Sequence, residues 1–509
     1  MLIIGAGVTG SGLARDLALR GVNCLIVEKG DVNAGASGGN HGLLHSGARY
    51  VSNDPSSAKG CRDEAQLLRK LAPECIEDTG GLFVAIEGDD ESYISEFPQF
   101  CEKNGITVSE IDCREAKDLE PALSETIIAA YLVEDATVDP FRLSFDNLAQ
   151  AESYGASLLN HSEVIEIERK GNRINSVRLR QDPDGREIVV KADQVINATG
   201  AWAGQVAALA GIELPIILSQ GTLLVTHKRV SQRVVNRLRP PTDGDIVVPG
   251  GTVSLVGTTS IRLNNLGKIS PTFSEVDFLV QECSKMLPVL KEIRYIRAFA
   301  GVRPLVGLEA SPDDRSVSRG FVALDHEANG ISNFVTVTGG KLTTYRLMAE
   351  KAADIVCGRL GVTTPCRTRE LPLSINDENK WVVAGLSPRQ WLKHKSTNDA
   401  LICECEMVPL SAVRQIIDNL NAHGIPVDLN AIRLRSRLSK GPCQGAFCGL
   451  RTLGYLYETG EIRSSEGLDQ IKTFLDQHWQ GLRPVLWGTQ LVQEQLQEAI
   501  YCGLLNMEL

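Results

Sequence analysis

Residues 1–30 read MLIIGAGVTGSGLARDLALRGVNCLIVEKG, and the punctuation of this stretch decides the fold. Leu2 to Ile4 are an apolar, largely β-branched run with the character of a strand. It leads directly into Gly5, Gly7 and Gly10, spaced G-x-G-x-x-G. Leu13, Leu17 and Leu19, interleaved with Ala14 and Ala18, predict a short helix with one apolar side, stopped by Gly21. Cys24 to Val27 predict a second strand that delivers Glu28. This order is the βαβ setting in which the glycine fingerprint binds dinucleotides. Gly5 permits the tight turn, Gly7 lets backbone approach a pyrophosphate, and Gly10 lets the helix pack close to the strand. The helix N-terminus then offers unpaired N–H groups and the positive end of its dipole to phosphate. Glu28, eighteen residues beyond Gly10, stands where a carboxylate accepts hydrogen bonds from a ribose hydroxyl. Met1 already lies inside the first strand, whereas strands usually run about five or six residues. The natural chain is therefore expected to begin earlier.

The 509 residues suggest about three domains. Hydrophobic residues at 43% and charged residues at 23% match a soluble globular protein with large cores. Lys+Arg 52 against Asp+Glu 63 leaves a net charge of −11, which argues against nucleic-acid binding. No stretch approaches the roughly 18 to 20 uninterrupted apolar residues of a membrane span, and the N-terminus reads as a functional strand, not a signal peptide. Nine of the thirteen cysteines are scattered, as expected in a reducing cytoplasm where thiols stay free.

Residues 35–50, GASGGNHGLLHSGARY, carry five glycines, two histidines and an arginine, and read as a loop tracking along a cofactor. Helices are expected over 58–77 and 92–104, and a strand over Gly81 to Ile86. Asp139 is the expected N-cap of a helix with Pro140 in its first position. Strands follow at Ala156 to Leu159, Glu163 to Glu168 and Arg173 to Arg180, with DPDG at 182–185 as a hairpin turn. Asp193 to Gly200, DQVINATG, is a buried parallel-type strand whose Thr199-Gly200 turn lets the chain pass close to a cofactor. Gly221 to His227, Asp245 to Pro249 and Val253 to Thr258 predict a separate antiparallel sheet, with a helix from Glu275 to Met286 against it. Arg297 to Leu305 brings the chain back. Strands at Phe321 to Leu324 and Phe334 to Thr338 precede Gly339-Gly340-Lys341-Leu342, which opens a helix running to about Cys357.

The fold class expected is therefore α/β: a discontinuous Rossmann-like nucleotide fold over 1–360 with an inserted antiparallel-sheet substrate domain, mainly 206–296. A connector over 361–396, a cysteine-bearing helical module over 397–455 and a helical tail over 456–509 complete it. Three features favour FAD over NAD: the fingerprint at the start of the chain, the discontinuous fold, and a second glycine-rich helix start near residue 340. A helix beginning at Lys341 aims its positive end at a flavin ring, stabilising the negative charge of reduction.

VTGGKLTTYRLMAEKAAD at 337–354, AGVRPLVG at 300–307 and GGNHGLLHSGARY at 38–50 together resemble the FAD-dependent glycerol-3-phosphate dehydrogenases. With TVDPFRL at 137–143 and the C-terminal cysteines, the chain resembles the large catalytic subunits of the anaerobic bacterial members. Ala6 stands where many relatives carry glycine, but the three spaced glycines are kept. The resemblance implies a glycine/D-amino-acid oxidase-like fold holding FAD through Gly5, Gly7, Gly10, Glu28, Ser37, Gly42, Thr199, Gly200, Gly339, Gly340, Lys341 and Leu342. It also implies oxidation of glycerol 3-phosphate to dihydroxyacetone phosphate, with hydride passing to flavin N5.

Such a substrate needs a cationic clamp, and arginine binds phosphate with a planar fork. The resemblance places Arg49 and Arg303 there, with Lys341 beside the flavin. Removal of the hydroxyl proton needs a base within hydrogen-bond reach. His45 and His41 are candidates, with His227 a third, and the sequence leaves the choice open.

Cys403 and Cys405 form C-x-C, and Cys443 and Cys448 form C-x-x-x-x-C after thirty-seven intervening residues. Four such thiolates can hold tetrahedral zinc or a [2Fe–2S] cluster. Zinc ribbons favour C-x-x-C pairs. The spacing and GPCQGAFCGLR at 441–451 resemble the bacterioferritin-associated ferredoxin-like [2Fe–2S] module, with zinc and free thiols as alternatives. The expected function is a dehydrogenase passing electrons through that cluster to membrane-associated partner subunits and a quinone, at the cytoplasmic face of the membrane. A flavoprotein acting on an amine or 2-hydroxy acid, and a non-catalytic electron-transfer adaptor, are the alternatives.

Overall fold

Ile3 and its neighbours Leu2 and Ile4 are almost wholly buried, and they point to two different cores. In the computed structural model, which describes residues 1–182, 184–267, 269–306, 320–373 and 399–507, Leu2–Ile4 sits inside a six-stranded sheet. The strand order is Phe321–Asp325, Phe334–Gly339, Val195–Asn197, Leu2–Ile4, Leu25–Val27, Ser157–Leu159. Its last five strands are parallel and the Phe321–Asp325 edge is antiparallel. Strands covered on both faces need apolar side chains at every position, so their sequences are continuous hydrophobic runs. Ile3 joins Leu13, Leu17, Phe145, Leu148 and Ala349 beneath the helices Val8–Leu19, Pro140–Ser153 and Tyr345–Leu360. Leu2 and Ile4 face the opposite core, with Ile174, Val177, Leu179 and Val206. That core is covered by the meander Ser162–Lys170, Arg173–Gln181, Arg186–Val190 and the short helix Ala203–Leu209. Pro183, in the expected hairpin turn, lies outside the described residues.

The second sheet is larger than expected and is not purely antiparallel. It has nine strands, and Gly81–Ile86, Val108–Ile111 and Ile127–Val133 join those from Ile217 onward. Gly81–Ile86 pairs in parallel with Val234–Arg237, whereas the other ladders are antiparallel. Two hydrophobic segments distant in sequence thus share a sheet, a pairing that local periodicity cannot reveal. Phe273–Met286 covers this sheet, started by a capping box in which Thr272 and Glu275 satisfy each other's backbone N–H. The helix expected over 58–77 is shorter, Pro55–Leu71, and Ile76–Glu77 is a strand. Pro73 blocks continuation of the helix, since proline brings no N–H and clashes with the preceding turn.

Beyond residue 399, the hairpin Leu401–Cys403 and Val408–Pro409 leads into five helices: Leu410–Ala422, Leu429–Leu434, Cys448–Thr459, Glu466–Leu482 and Thr489–Leu505. Of the expected connector, residues 374–396 lie outside the described residues. No helix among the described residues is long and apolar enough to cross a membrane.

Candidate active site

A cavity of about 670 Å³ runs from Val27 and Glu28, past the fingerprint turn, to His45, Arg303 and Lys341. Its volume is that of a site for a sizeable organic ligand. Of the expected cofactor residues, Gly5, Gly7, Glu28, Ser37, Thr199, Gly200, Gly339, Gly340, Lys341 and Leu342 line it. Gly10 lies behind the wall, where a Cβ built on it would fall 1.9 Å from the Gly5 carbonyl oxygen. Only a glycine lets the helix pack this closely on the turn. Gly42 does not line the cavity either. It has φ +66° beside the Val138 carbonyl, so its role is to bend the loop.

The Glu28 carboxylate accepts from the backbone N–H of Ala6 at 2.8 Å and of Gly30 at 2.9 Å, which fixes it at the end of its strand. Burial pushes its pKa up, and the two N–H donors oppose that. Ser37 Oγ accepts from Val8 N–H at 3.0 Å, tying the glycine-rich loop to the helix N-terminus. Gly7 has no side chain to fill the space between them, and a Cβ there would meet Ser37 Oγ at 3.0 Å. A turn stripped of side chains, a helix N-terminus and a buried carboxylate at the next strand end form a cradle that fits an FAD pyrophosphate and ribose.

At the other end, four cationic or basic side chains converge. His45 is buried at the cavity wall, and burial, then His41, Lys341 and Arg49, hold its pKa well below the ordinary value. It is a neutral imidazole able to take a proton. Tyr50 Oη lies 3.5 Å from His45 Nε2, and Lys341 Nζ sits 4.3 Å above the Tyr50 ring. The His41 and His45 rings are 5.9 Å apart, and His41 Nδ1 accepts from Leu43 N–H at 3.2 Å. Arg303 is held by Thr259 O at 3.1 Å and Thr258 Oγ1 at 2.6 Å. Its strand, Tyr295–Leu305, reaches the loop through Gly301, where a Cβ would meet Gly39 O at 2.0 Å.

Two residues expected at the substrate end are placed differently. Arg49 is buried behind the cavity wall, paired with Asp245 at 3.0 Å and donating to Thr242 O at 3.1 Å. Tyr50 takes the lining position instead, because neighbours on the 3₁₀ turn Ala48–Tyr50 lie about a third of a turn apart. Tyr50 was thus the residue that motif reading undervalued, although its place beside Arg49 was a usable signal. His227 lies past the end of its strand, with Nδ1 3.1 Å from Arg294 O, and does not line the cavity.

The four clustered cysteines are neighbours. Cys448 is in hydrogen-bond contact with Cys403 and Cys443, and Cys443 with Cys405. The bond from Cys448 lowers Cys443 and Cys403, the same contacts push Cys448 up, and burial raises Cys405. Among the described residues, no three His, Cys, Asp or Glu side chains are arranged around a single metal-ion position.

The FAD dependent oxidoreductase family model matches residues 1–354. An anaerobic glycerol-3-phosphate dehydrogenase subunit from Escherichia coli strain K12 is 41% identical over 529 aligned residues, spanning 100% of this chain and 97% of that protein. The chain belongs to this family of FAD-dependent oxidoreductases. An anaerobic glycerol-3-phosphate dehydrogenase subunit from Haloferax volcanii is 36% identical over 100% of this chain and 91% of its own length. The glycerol-3-phosphate dehydrogenase from Bacillus halodurans complexed with FAD superposes with a TM-score of 0.64 at 18% identity, covering 96% of each chain. Glycine oxidase from Bacillus cereus gives 0.58 at 22% identity over 74% of this chain and 98% of that one. Both share the glycine-oxidase-like α/β fold expected from the sequence.

Proposed function

We propose that the chain oxidises sn-glycerol 3-phosphate to dihydroxyacetone phosphate, as the names of its full-length relatives suggest. The observation that carries this reading is the pairing of cationic Arg303 and Lys341 with a neutral His45 at one end of the cavity. A phosphate monoester is held by the cations, while the imidazole lacks the charge that would stop it accepting the hydroxyl proton. FAD, held through Gly5, Gly7, Glu28, Ser37 and the Gly339–Leu342 turn, supplies the two-electron acceptor for hydride. Arg303, braced by Thr258 and Thr259, fixes the phosphate. Lys341 and Tyr50 orient the substrate beside His45, the proposed base, with His41 at its rim. Arg49 positions this end through Asp245 and adds to the positive field that keeps His45 neutral.

The cysteine quartet is proposed to hold a [2Fe–2S] cluster. The support is the run of contacts that joins the four thiols, Cys403 to Cys448, Cys448 to Cys443 and Cys443 to Cys405, since four clustered cysteines are the ligand set of such a centre. Electrons then leave singly towards partner subunits and a membrane quinone, with the chain peripheral to the cytoplasmic face.

Anaerobic mixing with glycerol 3-phosphate tests the substrate. It should bleach the flavin absorbance of the purified holoprotein, and free glycerol should do so poorly. Equal rates for the two overturn the phosphate-clamp reading. An amine or 2-hydroxy acid that reduces the flavin faster overturns the substrate assignment.

A further inference from the structure

The turn that holds Arg303 is itself anchored to a carboxylate that does not line the cavity. Thr258 to Ser260 follow the strand Val253–Gly257 and bring the Thr258 hydroxyl and the Thr259 carbonyl to the Arg303 guanidinium. That guanidinium lies across Gly221 of the strand Ile217–Thr226, where any Cβ would run into its nitrogens. Behind the turn, the Thr259 hydroxyl accepts from Thr222 N–H at 2.9 Å and donates to Glu275 Oε1 at 2.7 Å. The Thr222 hydroxyl donates to the same oxygen at 2.7 Å. Thr272 supplies its N–H and its hydroxyl to Glu275 Oε2, both at 2.9 Å, at the start of the helix Phe273–Met286. Ser260 is tied separately, to Asp243 and to Ser219, each at 2.9 Å.

Glu275 is 4% exposed, and among the described residues its carboxylate meets hydroxyl and N–H donors and no cation. A buried charge without an ion pair is costly unless hydrogen bonds replace its water. Burial pushes the Glu275 carboxyl up, but the Thr222, Thr259 and Thr272 donors outweigh it and hold the pKa below the ordinary value. Capping the helix needs only the exchange between Glu275 and Thr272, which uses Oε2. The other oxygen serves no helix N–H and is given to Thr222 and Thr259. We propose that Glu275 is a positioning residue for the substrate clamp, fixing through Thr259 the turn that aims Arg303 at the phosphate. This rests on the assignment of Arg303 to the phosphate in the proposed function and adds the group that holds the guanidinium in place. Arginine is long and rotamer-rich, and ordering it during binding would weaken the complex. A guanidinium fixed beforehand avoids that cost. The carboxylate accepts on both oxygens at once. An amide of the same size cannot, because its NH2 group accepts nothing.

Rapid anaerobic mixing of the holoprotein with glycerol 3-phosphate reads the substrate Kd and the limiting rate of flavin bleaching separately. The variants are Glu275→Gln, Thr259→Val, Thr259→Ser, Arg303→Ala and the double variant Arg303→Ala/Glu275→Gln. Glu275→Gln and Thr259→Val should each raise Kd about three- to tenfold, as for one lost hydrogen bond, with a smaller fall in the limiting rate. Thr259→Ser keeps the hydroxyl and should stay within about twofold of wild type. Arg303→Ala should raise Kd about tenfold or more. Adding Glu275→Gln to it should cost nothing further, because the guanidinium to be positioned is gone. An unchanged Kd in Glu275→Gln or Thr259→Val, equal losses in Thr259→Ser and Thr259→Val, or additive losses in the double variant each overturns the proposal. Loss of flavin by both Glu275→Gln and Thr259→Val assigns the network to the fold and overturns it too. A wild-type Kd in Arg303→Ala counts against the clamp reading itself. A weakened Arg303→Ala beside unaffected Glu275→Gln and Thr259→Val counts against the positioning role alone.

Discussion

Arg435 and Asp31 form a buried bidentate ion pair, 2.7 and 2.9 Å, joining the C-terminal module to the loop that follows Glu28. Asn160 and the Val32 N–H complete the Asp31 carboxylate, and the Arg435 guanidinium lies 4.7 Å over the Phe145 ring. The module is thereby fastened next to the Glu28 end of the cavity. Arg435→Met should cost about 3–5 kcal/mol by stranding a buried carboxylate, with Asp31→Asn/Arg435→Met recovering part of it. Chemical unfolding of wild type, Arg435→Met, Asp31→Asn and the double variant, with flavin release followed in parallel, measures the coupling. Additive losses in the double variant would contradict it.

The second and third glycines of the fingerprint should fail differently. At Gly10 a side chain meets backbone at 1.9 Å, so Gly10→Val should prevent stable folding. At Gly7 the nearest atom is the Ser37 hydroxyl at 3.0 Å, so Gly7→Val should fold and lose FAD. Circular dichroism and flavin absorbance separate these outcomes.

His45→Gln should lower kcat by roughly 10²–10⁴-fold, the usual contribution of a positioned base. Because its pKa is held well below the ordinary 6.5, the acid limb of kcat at saturating substrate should fall below about pH 6.5. Removing a positive neighbour with His41→Gln should move that limb to higher pH. The linkage has a definite sign. Below about pH 6.5 the unfolded chain takes up a proton that folded His45 refuses, so stability from this group declines as pH falls.

Cys448 contacts two of the other three cysteines, so Cys448→Ser should disrupt the proposed metal centre while sparing FAD. Iron content and the paramagnetic signal of the reduced protein should be lost, and rapid flavin reduction by substrate should persist. About one zinc and no iron per wild-type chain would replace the cluster with a structural zinc site.

The Rossmann-like start was readable from the sequence because each requirement is local. The three glycines, the amphipathic helix and Glu28 lie within 28 residues, and each position is set by its neighbours. The cavity-lining ends of distant strands, Thr199-Gly200 and Gly339-Gly340, were also readable, because small residues after an apolar run mark a backbone that must pass close to something. The four cysteines stand out by their spacing and by the resemblance of the GPCQGAFCGLR segment, and folding brings their thiols into contact.

What the tertiary structure decided was every relationship set by long-range packing. Arg49 looks like a clamp residue until Asp245, 196 residues later, is brought beside it and Tyr50 takes the lining position. The parallel pairing of Gly81–Ile86 with Val234–Arg237 carries no local signal, since a strand's pattern names its buried face but not its neighbour. The neutrality of His45 depends on enclosure and on cations from two separate segments. Sequence determines which side chains can do chemistry; burial and the partners that folding supplies decide which of them meet the cavity and in what charge state.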